Sequence, residues 1–170
     1  MVMRTVWIAS ACALLAVDSL SAADGSAESA ASDLAPDFAL KSAAGPNLRL
    51  SEYRGEVVML AFWASWCGEC RSQLQSFNDL HARYNAIGFK LLSINLDPAM
   101  ARARDTAASL GLEYPVLHDG QGRVGKLYEV DDVPLVVLID REGHVRESVA
   151  GKGRVNDSYY ADRVRALLRE

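Results

Sequence analysis

Apolar residues along this chain follow two rhythms. Residues 57–64 (VVMLAFWA) and 135–139 (LVVLI) are unbroken apolar runs rich in β-branched and aromatic side chains, and residues 89–96 (FKLLSINL) come close. None alternates polar with apolar, so each reads as a strand covered on both faces, as in the middle of an α/β sheet. Residues 115–117 are a shorter strand. Residues 144–150 alternate and suit an edge strand, joined to the preceding one through Arg141-Glu142-Gly143. Between the runs the period changes. Within residues 68–87, Leu74, Phe77, Leu80, Tyr84 and Ile87 are three to four apart and form one helical stripe, which Gly88 ends. Residues 98–110 form a second helix stopped by Gly111, residues 121–128 a short third, and residues 157–168 a last one capped by Asn156 or Asp157. The order βαβαβαββα predicts an α/β fold. Its sheet is flanked by helices, with parallel pairs inside and an antiparallel pair at the end.

The first residues obey neither rhythm. Arg4 is the only charge before Asp18, residues 5–17 are apolar, and Ser19, Ser21, Ala22 and Ala23 follow. This is the pattern of a secretory signal peptide, with cleavage expected near Ala22 or Ala23. The 13-residue apolar run is short for a membrane span, which takes about 20. The expected division is residues 1–23 signal, 24–33 (DGSAESAAS and one neighbour) flexible linker, and 34–170 a single folded domain. Cys12 would leave with the signal, so the mature chain keeps two cysteines. A formal charge of −4, with no basic stripe, gives no footprint for nucleic acid or an acidic membrane. A monomer is expected.

The two cysteines are three apart in Trp66-Cys67-Gly68-Glu69-Cys70. Cys67 follows a buried strand and opens a helix, at the carboxyl end of the sheet where α/β folds keep their sites. Free N–H groups and the helix dipole favour a thiolate there, and Cys-X-X-Cys cysteines so placed have pKa values of roughly 3.5–7.5. Three readings compete with a redox pair. A structural disulfide closing so small a loop contributes little. A zinc site needs four ligands, and His81, His118 and His144 read as a surface helix residue, a strand end and an edge-strand start. A copper(I) site on two thiolates is the third, non-redox alternative. A redox pair resembling that of thioredoxin-like folds implies a further element, a proline loop opposite the cysteines. Val133-Pro134, just before LVVLID, supplies it, since proline at a strand's first position loses no ladder hydrogen bond.

WCGEC after VVMLAFWA, followed by VPLVVLID, resembles the thioredoxin superfamily. APDFAL at residues 35–40 with Leu48-Arg49-Leu50-Ser51 resembles the N-terminal hairpin of TlpA/ResA-like thiol-disulfide oxidoreductases. The 36 residues between Asp97 and Pro134 leave room for that family's inserted helix and strand. The resemblance implies a thioredoxin-like fold with a hairpin and an αβ insertion, and a cis Val133–Pro134 bond. It also implies a redox-active Cys67–Cys70 disulfide with no other cofactor and no metal. Cys67 would attack a client disulfide and Cys70 resolve it, while Trp66, Gly68, Glu69, Val133 and Pro134 support the site. It further implies a periplasmic reductase recharged by a membrane thiol donor of the DsbD/CcdA type, with clients such as apocytochrome c. A disulfide-forming oxidant is the remaining alternative. Peroxiredoxins share an APDF-like start, but their Pro-x-x-x-Thr-x-x-Cys pattern is absent before Cys67.

Two departures stand out. Glu69 replaces the proline usual before the second cysteine, which should favour a more reducing couple, with Arg71 a possible offset. Ala61 occupies the position of thioredoxin's buried aspartate. Asp97 falls one residue before the expected glutamate of ResA-like proteins, and is a candidate proton acceptor for Cys70 or a turn or helix-capping residue.

Overall fold

The computed structural model describes residues 34–151 and 157–170. The expected signal peptide, Cys12 and the linker lie outside the described residues. The described elements form one seven-stranded sheet with helices on both faces. β1 (Ala39–Ser42) and β2 (Asn47–Arg49) form the N-terminal hairpin, followed by one 3₁₀ turn (Leu50–Tyr53). Then come β3 (Val57–Trp63), α1 (Gly68–Tyr84), β4 (Phe89–Asn95), α2 (Met100–Leu110), β5 (Val116–His118), α3 (Arg123–Leu127), β6 (Leu135–Ile139), β7 (Val145–Ala150) and α4 (Asp157–Leu167). A short 3₁₀ turn, Asn85–Ile87, finishes the long predicted helix, and Gly88 stops it with φ +98°. α4 begins where expected, while its cap falls outside the described residues.

The seven strands stand in the order β2-β1-β5-β4-β3-β6-β7. β3 pairs in parallel with β4, and β4 with β5. β6 runs antiparallel to β3 as well as to β7, so the sheet is more mixed than parallel pairs with one antiparallel partner at the end. Every residue of β3 and β6 is buried, in keeping with their unbroken apolar runs, while β7 alternates exposed with half-buried positions at the sheet edge. The parallel crossovers through α1 and α2 lead the same way along the sheet, and right-handed connections place both helices on one face. α4 joins them there through Phe77 and Tyr160, whose rings meet edge to face at 5.4 Å. On the other face Tyr128 packs against Phe38 at 6.1 Å and Phe62 at 5.5 Å, and donates its hydroxyl to Pro36 O at 2.8 Å. That ties the entering chain to the segment leading to Pro134. Among the described residues, no helix is long and apolar enough to cross a membrane.

Phe62 is 1% exposed and bears on the second core face. Phe62→Ala is expected to cost about 3–5 kcal/mol, read as a lowered denaturant midpoint with unchanged slope.

Candidate active site

β3 ends at Trp63, and the next four residues must turn from a buried strand into a helix. Two backbone bonds begin the turn: Leu96 N donates to Trp63 O at 2.9 Å and Cys67 N to Ala64 O at 3.1 Å. The remaining grip comes from Asp97. Its Oδ2 accepts from Ser65 N at 2.8 Å and its Oδ1 from Ser65 Oγ at 2.8 Å. Asn95 Nδ2 donates to the same carboxylate at 2.7 Å, and Asp97 N donates to Asn95 Oδ1 at 3.1 Å. Asp97 is 1% exposed. Burial alone would raise its pKa, but the bonds from Asn95 and Ser65 and the nearby charge of Arg102 hold it below the usual 3.8. Of the roles expected for Asp97, the side chain fills that of a turn residue, holding the Ser65 turn. Its partners are Ser65 and Asn95 rather than a cysteine, and α2 is capped by Ala99. His118 Nε2 lies 2.8 Å from Asp97 O, a contact that places the ring proton on Nε2.

Cys67 is the N-cap of α1, with extended backbone (φ −82°, ψ 102°), and its Sγ accepts from Cys70 N at 3.1 Å. A sulfur here takes one of the orphan N–H groups of the helix, which favours negative charge on it. Cys67 is joined to Cys70 in a disulfide with Cα atoms 5.3 Å apart. Cys67 is 5% exposed and Cys70 1%, so both are buried and Cys67 is the less covered of the two. Trp66 beside it is 68% exposed, a large apolar side chain left open next to the pair. The Val133–Pro134 bond is cis and both residues are buried. Val133 O lies 3.7 Å from Cys67 Sγ, so the reduced thiol can donate to it, whereas the disulfide cannot. Val133 N donates to Asp132 Oδ1 at 2.8 Å.

The structure therefore gathers Trp66, Cys67, Cys70, Val133 and Pro134, and sets Asp97 behind their loop. Gly68 is in open space, where a Cβ would meet nothing within 4 Å, so the position has no steric need for glycine. Glu69 is exposed on the first turn, where solvent weakens its hold on the sulfurs. Arg71 reaches Ser109 Oγ at 3.5 Å and forms no ion pair with Glu69 among the described residues. Ala61 is buried, in register with Ser93 and Val136. His81 is half-buried, with its ring 6.0 Å from that of Tyr114, and not simply surface-facing. Among the described residues there is no cluster of three or more His, Cys, Asp or Glu side chains able to hold a metal. Ser65 and Asn95 were missed in the sequence. A serine just before Trp-Cys and an Asn-x-Asp after an apolar strand were the available signals.

A dithiol pair at a helix N-cap, facing a cis-proline loop over a mixed sheet, defines a thioredoxin-like thiol-disulfide oxidoreductase. The chain belongs to the AhpC/TSA family, which matches residues 31–148, and within it is of the TlpA/ResA-like kind. Thiol-disulfide oxidoreductase ResA of Geobacillus kaustophilus is 35% identical over 117 residues, covering 69% of this chain and 67% of that protein. A crystal structure of a Chlorobium tepidum protein assigned to the DsbE thiol:disulfide interchange proteins aligns with TM-score 0.76 and 38% identity, over 80% of this chain and 96% of the other. A solution structure assigned as a protein disulfide isomerase of Bacteroides thetaiotaomicron aligns with TM-score 0.70 and 32% identity, over 81% and 89%.

Asp97→Ala strands the buried Asn95 Nδ2 and Ser65 donors and is expected to cost about 2–4 kcal/mol, measured by denaturation of the oxidised protein. The pH dependence has a definite sign. A carboxyl whose folded pKa lies below its unfolded 3.8 stabilises the fold above that value, and the contribution is lost as pH falls through the lower folded pKa. Stability of the wild type should therefore fall below about pH 4, with a shallower fall in Asp97→Asn; an unchanged slope in the variant would contradict the ion-stabilising role given to Ser65 and Asn95.

Proposed function

We propose that this protein is a periplasmic reductase of specific client disulfides. The carrying observation is Cys67 Sγ on the α1 N-cap, accepting the Cys70 N–H and facing Val133 O beside the cis proline. The helix end lowers the energy of a Cys67 thiolate, which attacks a client disulfide sulfur. One new S–S bond forms between Cys67 and the client, and the other client sulfur leaves as a thiolate that takes up a proton. Cys70, buried behind, then attacks Cys67 Sγ. The client leaves with both sulfurs reduced and the enzyme keeps the Cys67–Cys70 disulfide. Trp66 covers one side of the mixed disulfide, and Val133 and Pro134 hold the client backbone.

Turnover in an oxidising compartment needs two electrons per cycle from outside. A membrane thiol donor of the DsbD/CcdA type is the proposed source, and the haem-binding cysteines of apocytochrome c are a fitting client. Export by the N-terminal signal segment supports the compartment.

Two measurements test this reading. Equilibration with dithiothreitol is expected to give a potential near or below about −270 mV, whereas a value near −120 mV makes the protein a disulfide donor instead. Cys67→Ser should abolish exchange, and Cys70→Ser should accumulate mixed disulfides through Cys67 that are visible on non-reducing gels and vanish with dithiothreitol.

A further inference from the structure

The active end of the sheet carries a second feature that disulfide exchange itself does not use. Beyond the ends of β4 and β5 lies a polar cleft of about 440 Å³, lined by Lys41, Asn47, Pro98, His118, Asp119 and Arg123 among others. Lys41 and Arg123 are exposed, and neither forms an ion pair among the described residues. The one carboxylate in the wall is occupied: Asp119 Oδ1 accepts from Arg123 N at 3.0 Å and Oδ2 from Gly125 N at 2.8 Å. His118 forms the wall shared with the active site, since it holds Asp97 O. The cleft thus presents two exposed cations without an ion-pair partner among the described residues, against one carboxylate turned to backbone N–H groups, in a chain whose formal charge is −4.

Its position relative to the disulfide follows from the sheet. Trp63, Asn95 and His118 are in register across β3, β4 and β5, and Lys41 pairs with His118 from β1. At about 4.8 Å per strand, the cleft lies two to three strands, or roughly 10–14 Å, from the end of β3 that leads into Cys67. An extended peptide advances about 3.3 Å per residue and covers that span in roughly three to five residues. On the other side of the pair, Asp131 and Asp132 are exposed just before Val133. The rim facing a client is therefore acidic on the cis-proline side and basic on the β5 side.

Resting on the reductase reading above, we propose that this cleft is a subsite for an acidic side chain of the client, carried about four residues from the cysteine under attack. Lys41 and Arg123 pair with the carboxylate, while the Asn47 amide offers it a hydrogen bond. The acidic opposite rim repels the same side chain, so the charge pattern orients the client strand as well as selecting it.

The test uses the reduced protein and disulfide-bridged peptides that differ only in Glu or Lys four positions from the bridge, placed on either side of it. The wild type is expected to reduce the better-placed Glu peptide about fivefold faster than its Lys twin, the scale of two exposed ion pairs. The preference should shrink as salt is raised and invert in Lys41→Glu/Arg123→Glu. Because each preference is a ratio within one protein, a general loss of activity in the variant does not disguise the result. Reduction of both peptides at equal rates, or a preference that the variant retains, overturns the subsite. Failure of the wild type to reduce either peptide overturns the reductase reading, and the subsite with it.

Discussion

Two oxygens of one buried carboxylate fix the loop on which the disulfide sits. Between Trp63 and Cys67 the chain leaves a strand and has not yet entered a helix, so its own ladder supplies little restraint. Asp97 takes both the amide and the hydroxyl of Ser65, and Asn95 keeps the carboxylate oriented and ionised. Asn95 is itself the last residue of β4, in register with Trp63. The position of the reactive sulfur is thus set by the β3–β4 register, through one ionised side chain, and not by the covalent ring of the Cys67–Cys70 bridge. A bridge that closes so few residues does little for stability, so it is free to open and close without threatening the fold that carries it.

The electrostatics around the pair divide by depth. The helix end and the Cys70 amide act on Cys67 Sγ at contact distance and out of bulk water, where their effect is largest. The exposed carboxylates of Glu69, Asp131 and Asp132 are screened, and act more on what approaches than on the sulfur itself. Reactivity and recognition are in this way assigned to different layers of the same surface.

Much of this was legible in the residues. The unbroken runs of β3 and β6 announced strands buried on both faces, the stripe from Leu74 to Tyr84 gave α1, and WCGEC with Val133-Pro134 located the site. The hairpin and the insertion between Asp97 and Pro134 were expected through the resemblance to TlpA/ResA-like proteins. What escaped depended on pairing across distance. Ser65 and Asp97 are 32 residues apart, and only the β3–β4 register makes them neighbours. The antiparallel setting of β6 against β3 has no signature in an apolar run that reads the same in both directions. Arg71 sits beside Cys70 and near Glu69 in sequence, yet its length carries it across to Ser109 on α2. Local patterns state which faces are buried, and long side chains and strand registers decide who meets whom.

The entry point of the folded domain has a practical reach. Leu34 bridges His144, and Ala35 N donates to Gly143 O at 2.9 Å, beside the β6–β7 turn. That turn adjoins the start of β3, because Val58 pairs with Ile139 and Gly55 N donates to Arg141 O. Cys67 follows the other end of β3. A surface, bead or fluorophore attached ahead of Leu34 would join the domain at the far pole from the sulfurs, leaving the reactive rim turned outward.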